Sequence, residues 1–213
     1  MNSTVKPAIP RLHVLTDEVL QNRYSHVELA QLCASSGADA IQFREKRDHS
    51  ISERTKIADA MLRVCNQNDA LLVVNDFVDI AKAIGAPAVH LGRSDEAIEA
   101  ARARLATDSL IGGTANSYEE ALTVASLDCD YLGVGPVFGT KSKKSAAAAL
   151  HLAGLAQICD AVAKPVIAIG NIQLKDVHDV LSCGAHGIAV ISAIVCAGDV
   201  ERATRDFCVE LGI

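Results

Sequence analysis

The ten residues Gly135-Pro-Val-Phe-Gly-Thr-Lys-Ser-Lys-Lys144 break an apolar run into a cluster of glycine, hydroxyl and cationic side chains. Ammonium groups and hydroxyls on a glycine-loosened loop suit phosphate, which needs point charges and hydrogen-bond donors at close range. Tyr131, Leu132, Val134 and Val137 read as a strand ending at Gly135-Pro136, so Thr140, Ser142 and the lysines fall in the loop that follows. A second group of cations, Arg44 and Lys46, stands directly after the apolar run ending at Phe43. Other apolar runs end in polar residues too: Asn75 and Asp76, Asp95, Thr114, Gly170, and Ser192.

The elements that must position these residues alternate along the whole chain. Strand-like runs occur at 12–15, 38–43, 71–74, 88–91, 110–113, 131–137, 165–169 and 187–190. Helical patterns fill 25–36, 51–68, 77–84, 96–105, a stretch from Ser117, one through Ala163, 173–183 and 199–211. Ser117 with Glu120 spells a capping box at one of these helix starts. Eight strands, each followed by a helical pattern at about the shortest length that a β/α pair occupies, predict a (β/α)₈ TIM barrel. An open doubly wound sheet competes, but typically needs only five or six strands. In such a barrel the loops after the strands share one mouth, and residues far apart in sequence meet there.

At 213 residues the chain is read as one TIM-barrel domain over 1–213, with 1–10 as a short N-terminal extension. No apolar run approaches the ~18 residues of a membrane helix, so a soluble protein without membrane contact is expected. The first ten residues resemble neither a signal nor a transit sequence, which makes the cytoplasm the expected location. The formal net charge of −6, spread through the helical segments, gives no reason to expect nucleic acid as a partner. The seven cysteines are dispersed and form no Cys-x-x-Cys pair, which argues against a disulfide framework or a zinc site and for core packing.

Arg44, Lys46 and Lys143 together suit a highly charged anion of more than one phosphate. Asp76 and Asp95 would repel that anion unless a hard dication lay between, and Mg²⁺ characteristically takes one or two carboxylates plus phosphate oxygens. The arrangement points to a Mg²⁺-bound diphosphate. Gly170-Asn171 and Ser192-Ala193, after the seventh and eighth strands, fit a second phosphate held by backbone N–H groups. Thr16-Asp17 reads as a cap for the next segment, and His90, on a strand, as packed or hydrogen-bonded. The mouth carries no legible nucleophile, which favours electrostatic stabilisation of a departing diphosphate over covalent catalysis.

Nearly the whole chain resembles the thiamine-phosphate synthase family, which includes thiazole tautomerase relatives. The likeness rests on Gln42-Phe-Arg-Glu-Lys46, Val74-Asn-Asp76, Val89-His-Leu-Gly-Arg-Ser-Asp95, Asp130-Tyr-Leu-Gly-Val-Gly-Pro-Val-Phe138, Thr140-Lys-Ser-Lys143 and Ala168-Ile-Gly170, in that order. The resemblance implies a Mg²⁺-dependent transferase. It would join hydroxymethylpyrimidine diphosphate to the thiazole phosphate by a dissociative route, giving thiamine phosphate and pyrophosphate. It implies that Gln42 orients the pyrimidine, that Arg44, Lys46, Asn75 and Lys143 hold the diphosphate, and that Asp76 and Asp95 carry Mg²⁺. Among these, Lys143, Arg44 and Lys46 would be catalytic. Thr114 would bond near the pyrimidine and diphosphate, while Thr140, Ser142, Gly170, Ile191 and Ser192 would bind the thiazole phosphate. Association into a homo-oligomer is compatible with it.

The chain departs from the family pattern in places. Asn171 follows Gly170 where two glycines are common, Arg93 replaces a usual glutamine, and Ser142 a frequent threonine. The run Ser145-Ala-Ala-Ala-Ala-Leu150 consists of good helix formers and predicts an extension of the next helix. Two alternatives follow: a thiazole tautomerase-like enzyme and a non-catalytic ligand-binding regulatory paralogue. The tautomerase histidine has Asn116 in its place, and an amide moves no proton near neutral pH.

Overall fold

The computed structural model describes residues 6–139 and 147–213. Eight parallel strands, β1 (Leu12–Thr16), β2 (Ala40–Phe43), β3 (Leu71–Asn75), β4 (Ala88–Leu91), β5 (Leu110–Ala115), β6 (Tyr131–Val134), β7 (Val166–Ile169) and β8 (Gly187–Val190), close into a barrel in sequence order. β1 completes the ring by pairing Leu12 with Ile188 and Val14 with Val190. This is the (β/α)₈ barrel expected from the alternation.

Helices α1 (His26–Ala34), α2 (Ile51–Gln67), α3 (Val78–Ile84), α4 (Ile98–Arg104), α5 (Tyr118–Ala125), α6 (His151–Ala161), α7 (Val177–Ser182), α8 (Ser192–Val195) and α9 (Val200–Leu211) connect the strands or close the chain. Local chemistry sets their ends. Ser25 with Glu28 and Ser50 with Glu53 form reciprocal capping boxes at α1 and α2. Gly85 ends α3 with φ 66°, a left-handed conformation in which a Cβ would be strained. No described helix is long and apolar enough to cross a membrane.

The two faces of each strand have different tasks, because side chains alternate. Outward residues such as Val14, Ile41, Phe43, Leu72, Leu132 and Ile188 join the helices in the main apolar core. Inward residues fill the barrel in two groups, Ala40, Val73, Ala88 and Leu110 on one side and Leu15, Tyr131, Ile167 and Ala189 on the other. Ile9, just before β1, packs against both groups and closes the N-terminal end. The packed layers force any ligand to the opposite, C-terminal end.

Four expectations about the elements need correction. β5 runs on to Ala115, so Thr114 lies within the strand and points into the barrel rather than standing in the loop after it. The 173–183 helix is split into a 3₁₀ turn (Leu174–Asp176) and α7. Glu120 does not complete a capping box: Ser117 accepts the Glu120 N–H, but Oε2 of Glu120 accepts the Asn116 N–H at 2.8 Å, one residue before the cap. The alanine run does not extend α6, since residues 147–150 are non-helical and His151 has φ 54°. Hydrogen bonds from Leu150 N to Pro136 O and from His151 N to Val137 O, both 2.9 Å, tie this backbone to the β6 loop instead.

Candidate active site

Gln42, Arg44 and Lys46 occupy every second position of β2 and its continuation, so one strand sends three polar side chains into the mouth. With Asn75, Asp76, Asp95, Thr114, Gly170, Ile191 and Ser192 they line one cavity of about 1520 Å³. Sequence reasoning expected these ten residues to converge, and they do. Thr140, Ser142 and Lys143, with Lys141 and Lys144, lie outside the described residues.

The cavity has two unlike walls. From the loops and ends of β2 to β5 come the cations, carboxylates and hydroxyl; from β1, β7 and β8 come Leu15, Ile167, Ile169, Ala189 and Ile191. One wall can bind charge while the other excludes water.

On the polar wall, Lys46 Nζ donates to Asp76 Oδ2 at 2.8 Å. Asp95 turns its Oδ2 back to accept the Gly92 N–H at 2.6 Å and lies beside Asp76. Burial raises the Asp95 carboxyl above its ordinary value, and the neighbouring Asp76 carboxylate raises it further. Asp76 itself has φ 69°, held by its N–H bond to His90 O at 3.0 Å. This left-handed bend brings the acid towards Asp95, and aspartate tolerates it better than most residues. No group of three or more His, Cys, Asp or Glu side chains placed to hold a metal ion exists among the described residues. The donor set is therefore two hard carboxylate ligands with the remaining positions left to other oxygens, which fits Mg²⁺ alongside a phosphate and not a zinc cage.

Arg44 is 7 % exposed and donates through Nη1 to Oδ2 of Asp17, which is 1 % exposed. Asp17 also caps the turn after β1, its Oδ1 accepting the N–H groups of Val19 at 2.8 Å and Leu20 at 2.9 Å. The capping role expected for Asp17 is present, but its pairing with Arg44 was missed. The available signal was its place: a carboxylate immediately after a barrel strand.

Between the inward residues of β2, Glu45 and Arg47 point outward and lock the strand end. His26 links Thr16 Oγ1 at 2.7 Å to Glu45 Oε2 at 3.2 Å, and Arg47 Nη2 donates to the same oxygen at 2.7 Å. Burial alone would raise the Glu45 carboxyl, but hydrogen bonds from Arg47 and the charges of His26 and Arg47 outweigh it and hold the value down to about 2. Arg44 and Lys46 thus project from a fixed rail.

Gly170 has φ 114°, and a Cβ there would lie 2.5 Å from Pro136 Cα and 2.8 Å from Val137 N. Its freedom is needed first for packing β7 against the β6 loop. Gly170→Ala is expected to destabilise the chain by at least about 2 kcal/mol, read as a lower urea midpoint. Asn171, where a second glycine is common, keeps a glycine-like φ of 53° and lines the cavity. Asn116 donates its amide to Gly135 O, joining the ends of β5 and β6. Arg93 pairs with Glu120 at the rim.

Comparison with known proteins follows the same lines. The family profile described as thiamine monophosphate synthase matches residues 12–194. A thiamine-phosphate synthase of Salinibacter ruber is 46% identical over 203 residues, covering 94% of this chain and 88% of that one. One of Methanospirillum hungatei is 42% identical over 196 residues, covering 92% and 95%. The solved structure of thiamine phosphate pyrophosphorylase from Pyrococcus furiosus superposes with a TM-score of 0.85 at 37% identity, covering 95% of each chain. A matching profile over most of the barrel, close relatives and the shared structure together place this chain in the thiamine monophosphate synthase family.

Proposed function

We propose that this chain is a transferase that couples hydroxymethylpyrimidine diphosphate to the thiazole phosphate, forming thiamine phosphate and pyrophosphate. The observation that carries the reading is the Asp76–Asp95 carboxylate pair with Lys46 on it and Arg44 in the same cavity. A paired-carboxylate and cation set of this kind suits a diphosphate bound with a dication.

Asp76 and Asp95 would hold Mg²⁺, which supplies charge neutralisation to the leaving diphosphate when bound. Arg44, Lys46, Asn75 and Lys143 grip the diphosphate oxygens, and Gln42 orients the pyrimidine. The carbon–oxygen bond then breaks with its electron pair leaving on pyrophosphate, where the cations stabilise the growing charge. The apolar wall of Leu15, Ile167 and Ile169 keeps water from the resulting pyrimidine methylene cation. The thiazole nitrogen donates its lone pair to that carbon, positioned by a phosphate site at Thr140, Ser142, Gly170, Ile191 and Ser192. No side chain need act as nucleophile. The reading carries a cytoplasmic location and small-molecule partners only.

The test is direct. Purified protein given both substrates and Mg²⁺ is expected to release thiamine phosphate and pyrophosphate in equal amounts, with the rate falling at least about tenfold when Mg²⁺ is chelated. Absence of product at saturating substrates would overturn the reading and leave a ligand-binding paralogue. The tautomerase-like alternative has less support, because the Asn116 amide is committed to Gly135 O.

A further inference from the structure

Thr114 is not alone on its strand face. Its Oγ1 lies 2.9 Å from His90 Nε2, and His90 Nδ1 lies 3.3 Å from the hydroxyl of Tyr131. The three residues come from β4, β5 and β6 and form a chain of hydrogen bonds running from the barrel interior to the cavity. Tyr131 is 1 % exposed, and its ring also packs on His13, with centroids 5.3 Å apart. Tyr131 is the largest fully buried side chain among the described residues, and it stands on a strand next to two glycines of the same inward face.

Those glycines show that the arrangement is built in. A Cβ at Gly112 would lie 2.2 Å from Tyr131 Cζ and 2.4 Å from His90 Nδ1. A Cβ at Gly133 would lie 2.6 Å from His90 Cε1 and 3.0 Å from His90 Nε2. Any other residue at either position would push the ring pair apart, so the inward faces of β5 and β6 are cleared for it.

The direction of the hydrogen bonds turns on the tautomer of His90. Burial pushes the Tyr131 hydroxyl above its ordinary value, so the phenol keeps its proton. Either hydroxyl can donate or accept, so the tautomer of His90 decides: with the proton on Nε2, the phenol donates to Nδ1 and the Thr114 oxygen accepts from Nε2–H.

We propose that His90, oriented by Tyr131, is a positioning residue that makes the Thr114 hydroxyl a hydrogen-bond donor into the cavity, selecting a substrate with an acceptor atom at that point. This rests on the coupling reading above, in which Thr114 faces the pyrimidine diphosphate. A threonine hydroxyl without such a neighbour rotates and serves either as donor or as acceptor. With its oxygen occupied by the His90 N–H, its own proton is directed at the ligand. A pyrimidine diphosphate offers acceptors in its ring nitrogens and its phosphate oxygens.

Two measurements test the proposal. Nitrogen NMR of the wild-type protein with labelled histidine is expected to show His90 as the Nε2–H tautomer; an Nδ1–H tautomer would overturn the donor direction whether or not the protein catalyses coupling. In steady-state kinetics, His90→Leu is expected to raise KM for the pyrimidine diphosphate, with kcat/KM falling roughly 10- to 100-fold, while KM for the thiazole phosphate holds. In a Thr114→Val background the same change is expected to cost less than about twofold more. An equal loss with and without the Thr114 hydroxyl, or a matching rise in KM for both substrates, would show a merely structural role and sink the proposal. An inert wild-type protein carrying the Nε2–H tautomer would instead count against the coupling reading alone.

Discussion

Replacing Asp17 with alanine is expected to lower the unfolding free energy by about 3–5 kcal/mol, the range for removing one member of a buried charge pair. The Asp17 carboxylate and the Arg44 guanidinium are both almost wholly buried. Both charges left water to form this contact, and deleting the carboxylate removes an ionic partner from a buried guanidinium. Loss of the acceptor for the Val19 and Leu20 N–H groups adds a smaller penalty of about 1 kcal/mol. Asp17→Asn separates the two effects, because an amide oxygen still accepts those N–H groups while the negative charge is gone. It is therefore expected to lose less stability than Asp17→Ala. Coupling should fall with both variants, since Arg44 lines the cavity and Asp17 fixes where its guanidinium sits. Urea midpoints equal to that of the wild type in both variants would show that the pair contributes no stability.

Asp17 also illustrates what the sequence makes legible and what it hides. Alternating strands and helices show where each strand ends, and the polar residue at that end is visible as a break in hydrophobicity. That is enough to bring Arg44, Lys46, Asn75, Asp76 and Asp95 to one mouth, whereas Gln42, inside its strand, was legible only through the family resemblance. Partnership between neighbouring strand ends is a different matter. Arg44 and Asp17 come from adjacent strands that lie 27 residues apart in sequence, and nothing local marks them as a pair. His90 was legible only as a polar residue on a strand, because its meaning depends on Tyr131 and on glycines at 112 and 133 that clear space for both rings. Helix boundaries failed where tertiary hydrogen bonds override propensity. Ala147, Ala148 and Ala149 are good helix formers, yet the β6 loop takes the N–H groups of Leu150 and His151 that follow them.

The barrel interior leads to the second large effect, a loss of stability on acidification that traces to His13. This side chain is 1 % exposed, packs against Tyr131, and makes one hydrogen bond through Nε2 to Pro10 O at 3.3 Å. Its Nδ1 has no hydrogen-bond partner among the described residues. Burial lowers its basicity most, the charge of His90 lowers it further, and the bond to Pro10 only partly offsets them, leaving a value of about 3 in place of 6.5. Above pH 6.5 the ring is neutral in both folded and unfolded chains, so the full stability is present. Below it the unfolded chain takes up a proton that the folded chain refuses, and stability is lost progressively as pH falls towards 3. From pH 6.5 to 4.5 this one group is expected to remove about 2 kcal/mol, the slope approaching about 1.4 kcal/mol for each pH unit. His26, buried and likewise lowered chiefly by burial, acts in the same direction. His13→Gln keeps an N–H for Pro10 and cannot be protonated. Its urea midpoint is therefore expected to fall less steeply than that of the wild type across this window, while the curves run parallel above pH 7. Parallel curves throughout would mean that His13 takes up its proton without breaking the interior, and the acid sensitivity would then belong to His26 and the carboxylates.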